Sequence, residues 1–153
     1  MEKLDEIKLQ RATFDDIPAI LDVEKSVIGT KIYSGLTGAE DAKTELTNDI
    51  YYLIKSNNKV VGNTSYQLKD DGSAYISGLV VTKKFQKQGI GKRAMQMLLE
   101  MLNDKKVIWL MTHPENEKAI ALYKSLGFKQ VGKAIENYFN DGEPRIKMIL
   151  ERK

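Results

Sequence analysis

The chain of 153 residues has no cysteine and one histidine, His113. A disulfide framework, a thiolate metal centre and a cysteine nucleophile are thereby excluded, and the usual zinc set of three or four His and Cys ligands cannot be assembled; no metal is expected. No apolar run reaches the roughly 18 residues of a membrane span, and Met1-Glu2-Lys3-Leu4-Asp5-Glu6 lacks the apolar core of a signal peptide. A soluble cytoplasmic protein with no membrane partner is expected. Excess charge is scarce too. With 24 basic and 21 acidic residues the formal charge is +3, so any anion site must come from local clustering. What is present, 42% hydrophobic and 29% charged residues, suits one globular domain over 1–153.

Ile7 and Leu9 alternate ahead of Thr13-Phe14-Asp15-Asp16-Ile17, where Thr13 can cap a helix and both aspartates favour its first turn. The spacing of Ile17, Ile20, Leu21 and Glu24 predicts a helix to about Val27. Ile28 to Gly38 reads as a loop, and Ala39 to Asp49 as a short polar helix. The period then becomes two. Tyr51 to Lys55 and Val60 to Leu68 flank the Asn57-Asn58 turn, and Asp70-Asp71-Gly72 leads into Ala74 to Val81, which predicts three antiparallel strands. Gly78, inside the third, marks a bulge or a close approach to the backbone.

From Gly89 the pattern is helical, with Ile90, Ala94, Met97, Leu98 and Met101 on one stripe ending near Asn103. Val107 to Met111 is a short apolar strand. A further helix starts at Pro114 and Glu115, with Asn116 as its cap and Glu117 in its first turn, and stops at Gly127. Phe128 to Phe139 and Arg145 to Leu150 close the chain as a hairpin around Asn140-Asp141-Gly142. The order βααβββαβαββ describes a single α/β domain in which the strand, helix, strand unit from Ala74 to Met111 forces a parallel pair by its crossover.

Thr82 to Arg93 carries five cations and no acid, with Gly89 and Gly91 where a strand's loop becomes a helix. Several backbone N–H groups can there converge on an anion with the helix dipole behind them, a cradle suited to a pyrophosphate; a solvated basic loop with turn glycines is the alternative. A Walker loop does not fit, because Gly91-Lys92 has Gln86 upstream and Arg93 downstream, which leaves no Mg²⁺ ligand. Gly89-x-Gly91-x-x-Ala94 imitates the dinucleotide fingerprint, but Thr82 to Gln88 intervene between strand and glycine.

The remaining pattern, Gln86-x-x-Gly89-x-Gly91 after an apolar strand, resembles the GNAT superfamily of acyl-CoA-dependent N-acetyltransferases. A second stretch, Asn116-x-x-Ala119-x-x-Leu122-Tyr123-x-x-Leu126-Gly127-Phe128, resembles that family's other motif, and the likeness spans nearly the whole chain. It implies a mixed, mostly antiparallel sheet with helices on both faces, in which parallel strands four and five splay to admit acetyl-CoA. It further implies that Leu79, Val80 and Val81 pair with the pantetheine arm, that Gln86, Lys87, Gln88, Gly89, Ile90, Gly91 and Lys92 wrap the pyrophosphate, that Asn116 contacts the arm, and that Tyr123 lies beside the sulfur.

Acetyl transfer from a thioester needs a neutral amine, an electrophile polarised by N–H donors and a proton for the departing thiolate. An N–H of the Val80-Val81 segment can polarise the carbonyl. Tyr123, with an ordinary pKa of about 10 against about 8.5 for a thiol, can supply the proton. The base is less defined. Protein N-terminal acetyltransferases, the branch this chain resembles most, often carry a carboxylate or histidine five residues before the asparagine, where this chain has Met111. Tyr75 matches a strand-four tyrosine that holds a water in one branch; His113 lies just past the fifth strand, and Glu24 lies on the helix bordering the acceptor side. As plain structural residues these would be a strand aromatic, an exposed loop histidine and a solvated glutamate.

Deprotonating an α-amine at pH 7 costs roughly 1 kcal/mol, against about 4 to 5 kcal/mol for a lysine-like amine, so a weak base suits an α-amine. The stretch Glu136 to Arg145 is similar to the tyrosine-rich hairpin covering the peptide in ribosomal-protein and other N-terminal acetyltransferases. Tyr138 and, on the opposite wall, Tyr33 in the Val27 to Thr37 loop are then acceptor-binding candidates. The expected partner of acetyl-CoA is a protein or peptide N-terminus, with a polyamine or other small amine as alternative, kept open by Glu40-Asp41 and Asp70-Asp71. A non-catalytic acyl-CoA sensor is a different class, and a monomer or homodimer is expected. Nucleic acid is not, because the loop's cations lack interleaved aromatics beyond Phe85.

Overall fold

The computed structural model describes residues 6–27, 36 and 38–152. Its strands are β1 (Ile7–Arg11), β2 (Ile50–Ser56), β3 (Lys59–Leu68), β4 (Ala74–Val81), β5 (Val107–Thr112), β6 (Lys129–Ile135) and β7 (Arg145–Glu151). Its helices are α1 (Ile17–Val27), α2 (Ala39–Asn48), α3 (Ile90–Met101) and α4 (Glu117–Ser125). The strands form one sheet in the order β1-β2-β3-β4-β5-β7-β6.

Period-two alternation sets the layers. In β2, Tyr51 and Leu53 turn toward Ile20 of α1, whereas Ile54 turns to the opposite face and packs with Val61, Ile90 and Ala94 under α3. The largest core lies on that second face, where Met95 and Leu98 of α3 and Tyr123 of α4 meet Ala74, Ile76, Ile108, Leu110 and Met148 of the sheet. Helices therefore cover both faces, α1 and α2 on one and α3 and α4 on the other.

All neighbouring strands are antiparallel except β4 and β5, which pair only through Ala74 with Ile108, Tyr75 with Trp109 and Ile76 with Leu110. Pairing ends there because β4 carries a bulge. Ser65 faces Gly78 but Tyr66 faces Ile76, so Ser77 is the extra residue. The insertion shifts the parity of β4: Ala74 and Ile76 face α3 before it, and Leu79 and Val81 do so after it. Gly78 completes the device. Thr64 Oγ1 donates to its carbonyl at 2.7 Å, and a Cβ there would lie 3.0 Å from Ser65 Oγ.

Two boundaries differ from the sequence reading. The chain enters α1 through a 3-10 turn, Phe14–Asp16, in which the Asp16 carboxylate accepts the Thr13 amide at 2.9 Å. The closing hairpin's first strand ends at Ile135 rather than Phe139. Asn137 and Asn140 adopt left-handed φ of 52° and 64°, and Asn137 Oδ1 accepts the Gly142 amide at 2.6 Å, so the backbone turns where a strand was expected to continue.

Candidate functional site

A cavity of about 340 Å³ opens where β4 and β5 part. Asn116 and Tyr123 line it on the α4 side, Gly78, Leu79 and Val80 with Met111 line the gap, and Glu24, Glu45, Tyr51 and Asn63 line it on the α1 and α2 side. It thus joins the two faces of the sheet. Because β4 has no partner on this side beyond Ile76, every second backbone N–H and C=O of Gly78 to Val81 faces the gap.

The basic loop leads from β4 to α3. Lys83–Phe85 form a 3-10 turn, Gln86 Nε2 ties the loop back to the Val81 carbonyl at 3.0 Å, and Ser26 Oγ of α1 accepts the Lys83 amide at 3.1 Å. Lys87 and Gly89 then adopt left-handed φ of 67° and 82°. Alternation of this kind turns successive N–H groups toward one concavity. Gly89 is the N-cap of α3 and offers no side chain to its first-turn amides, which stay available to an outside anion. Lys83, Lys84, Lys87, Lys92 and Arg93 are exposed, and among the described residues none forms an ion pair with an acid. Gly91 is different: a Cβ there would make ordinary contacts with Val81 and Leu122.

Asn116 caps α4, its Oδ1 accepting the Ala119 amide at 3.3 Å. Two helical turns further on, Tyr123 is 7% exposed and tilts against Phe128, with ring centroids 5.8 Å apart, while also lining the cavity. His113 is not an exposed loop residue. Its ring is 1% exposed, its Nδ1 accepts the Glu115 amide at 3.0 Å, and its Nε2 is 2.8 Å from Glu143 Oε1. The accepting Nδ1 fixes the tautomer with hydrogen on Nε2, donated to Glu143. The trio His113, Glu115 and Glu143 works as a latch holding the β6–β7 hairpin to the end of β5. The hairpin is also held by Arg145, 2% exposed, whose Nη2 donates to Asp141 at 2.8 Å.

On the α1 and α2 side, Glu24 is 6% exposed although it carries a carboxyl. Burial pushes its pKa from 4.5 to about 7, against the Leu36 amide and Asn63, which draw it down. Glu45 of α2 is pushed to about 7 as well, first by burial and then by Asp49 and Glu24. Tyr75 stacks on Trp109 at 4.4 Å, and burial with the nearby Tyr138, Asp49 and Glu45 drives its phenol far above the usual range, so it stays protonated. Tyr138, half-exposed, sits edge-on to Phe139, which lines the cavity. Tyr33 lies outside the described residues.

The cavity therefore brings together Tyr123, Tyr75, His113, Glu24, Asn116, Leu79 and Val80 among the residues singled out from sequence, with Tyr138 beside Tyr75. Sequence reasoning missed Glu45, Asp49, Tyr51, Asn63, Ser65 and Gln67. A signal was present in β3, where Asn63, Ser65 and Gln67 are successive residues on one face, polar where a strand packed under helices normally shows apolar ones.

A family model described as the acetyltransferase (GNAT) family matches residues 20–128. The [Ribosomal protein bS18]-alanine N-acetyltransferase of Escherichia coli (strain K12) is 28% identical over 137 residues, 88% of this chain and 88% of that protein. N-alpha-acetyltransferase 30 of Dictyostelium discoideum is 28% identical over 109 residues, 67% of this chain but 57% of that protein. In fold, the chain is similar to a GNAT family acetyltransferase from Elizabethkingia anophelis solved with acetyl-CoA bound, with a TM-score of 0.77 and 22% identity over 97% of this chain and 99% of that one.

Proposed function

Because this chain belongs to the acetyltransferase (GNAT) family and is an N-acetyltransferase that uses acetyl-CoA, we propose that its acceptor is the α-amine of a protein or peptide N-terminus. The observation that carries the reading is the cavity crossing the sheet, lined by Asn116 and Tyr123 on one side and by Glu24 and Glu45 on the other. The names of the relatives above, which act on a ribosomal protein or on N-termini, support the same choice.

Bound acetyl-CoA supplies an activated acetyl thioester. The residues present fit it: the first-turn amides of α3 with Lys87 and Lys92 would hold the pyrophosphate, and the open edge of Leu79, Val80 and Val81, beside Asn116, would receive the pantetheine arm. Glu24, with a carboxyl near 7, takes the proton that makes an incoming α-ammonium nucleophilic; at neutral pH the two groups differ by only about one pKa unit, so the transfer costs roughly 1 kcal/mol. Tyr123 would donate its phenolic proton to the sulfur of bound acetyl-CoA and recover it from water. Tyr75, a protonated phenol, and Tyr138 orient the acceptor. His113, with both ring nitrogens engaged, fixes the hairpin that carries Tyr138 and Phe139.

The carboxylates of the acceptor lobe favour a small polyamine as second reading. A panel of N-terminal peptides, spermidine and lysine-blocked peptides, followed by release of coenzyme A, tests both. Turnover of peptides at their α-amine is expected; turnover of spermidine alone would exchange the two.

A further inference from the structure

Glu24 and Glu45 line one lobe of the cavity, with Asp49 against Glu45, and among the described residues none of the three pairs with a lysine, arginine or histidine. Their availability differs. Asp49, 4% exposed, has both oxygens taken, accepting Gln67 Nε2 at 2.6 Å and Ser77 Oγ at 2.7 Å. It anchors the β4 bulge to the end of α2. Glu45, one helical turn before it and half-buried, lies against Asp49 and faces the cavity. An acceptor with a single ammonium engages Glu24 by the gap and leaves Glu45 uncompensated. A second positive charge beside Glu45 favours its ionised form, which burial and the neighbouring Asp49 and Glu24 otherwise disfavour.

A separate observation says what else the occupant carries. Asn63 is 1% exposed and lines the same lobe; its Nδ2 lies by the Glu24 carboxylate, whose charge it favours, but no acceptor completes a hydrogen bond to it. A buried donor of this kind asks for an acceptor atom. A polyamine, protonated along its length, brings only N–H donors. A peptide brings a carbonyl oxygen a few bonds from its α-amine.

Resting on the acceptor class proposed above, we infer that the lobe formed by Glu24, Glu45 and Asn63 selects a peptide N-terminus with a lysine or arginine side chain within its first two residues. Glu24 receives the reacting amine, Asn63 donates to the first carbonyl, and Glu45 receives the side-chain cation. Glu45 is a specificity residue in this scheme, and Asp49 positions it.

The test compares matched peptides with lysine or its neutral isostere norleucine at position one or two, alongside spermidine, on the full chain with saturating acetyl-CoA. The lysine peptide is expected to show kcat/KM about tenfold above its norleucine twin at one of the two positions, and Glu45→Gln should shrink that ratio to about twofold or less. The ratio is read within each protein, so a general loss of activity in the variant does not imitate the effect. Equal or faster turnover of norleucine peptides overturns the inference while leaving the acceptor class intact, as does a lysine preference that survives Glu45→Gln. Spermidine outpacing every peptide, or no turnover of any peptide by a chain that binds coenzyme A, overturns the acceptor class and this inference with it.

Discussion

Replacing Glu24 by glutamine separates the energetic cost of the site from its chemistry. The Glu24 carboxyl stands at about 7 in the folded chain against 4.5 when solvated, and burial is the main cause. Between those values the folded state binds more protons than the unfolded one, so stability present below pH 4.5 is lost as pH rises through 7. By pH 8 the ionised carboxylate has cost folding about 3 kcal/mol. Glutamine keeps the shape and can still accept the Leu36 amide, but it has no charge to bury. In a domain of this size each kcal/mol moves Tm by about 2 to 4 °C, so Glu24→Gln should melt about 6 to 12 °C above the parent at pH 8 and close to it at pH 5. Relief of Glu45, which Glu24 pushes upward, acts in the same direction. Thermal melts followed by circular dichroism at the two pH values, with CoA-release rates on a peptide substrate, read both halves. The rate should fall about 100-fold or more and lose its dependence on a group near 7. A Tm difference that is the same at pH 5 and pH 8 would refute the buried-carboxyl argument, and a raised Tm with an undiminished rate would remove Glu24 from proton transfer.

The other expectations follow from single contacts. Tyr123→Phe keeps the packing on Phe128 and removes the phenol, so kcat should drop about 100-fold or more while calorimetric Kd for coenzyme A changes little; a parallel loss of affinity would make Tyr123 a binding residue only. Gly89→Ala places a side chain at φ 82°, which costs roughly 1 kcal/mol, and should weaken coenzyme A about fivefold with kcat at saturation nearly preserved. A Cβ at Gly62 would overlap the Val80 carbonyl oxygen, so Gly62→Ala should lower Tm by about 3 to 10 °C; an unchanged melt would show that β3 and β4 can move apart there at no cost.

The shape of the basic loop was legible because its requirements are local: a donor at Gln86, a left-handed residue at Gly89 and a helix start at Ile90 lie within one stretch of chain. Parallel pairing of β4 and β5 was legible for the same reason, since a crossover helix permits nothing else. Of the carboxylate-lined lobe, only Glu24 was singled out. Glu45 and Asn63 come from α2 and β3, and each alone is an ordinary polar residue at an ordinary spacing. Gly78 pointed to a bulge, yet the residue it displaces is Ser77, whose partner Asp49 lies far away in sequence. His113 looked like a solvent-facing loop residue because nothing near it in the chain announces Glu143, the side chain that lets its ring be buried.

The short parallel seam has a mechanical consequence. Four strands on one side and three on the other are stitched by three residue pairs, Ala74, Tyr75 and Ile76 with Ile108, Trp109 and Leu110. The apolar cluster under α3 and α4 glues the seam along one face, where Ile76 meets Leu110, Tyr123 and Phe128, while the Tyr75–Trp109 stack spans it on the other. The domain is therefore bound like a book, with its spine against α3 and α4 and its fore-edge toward α1 and α2. A molecule that slips between the pages from the spine side wedges them at a set angle, and that angle fixes how wide the far margin stands open to whatever arrives there.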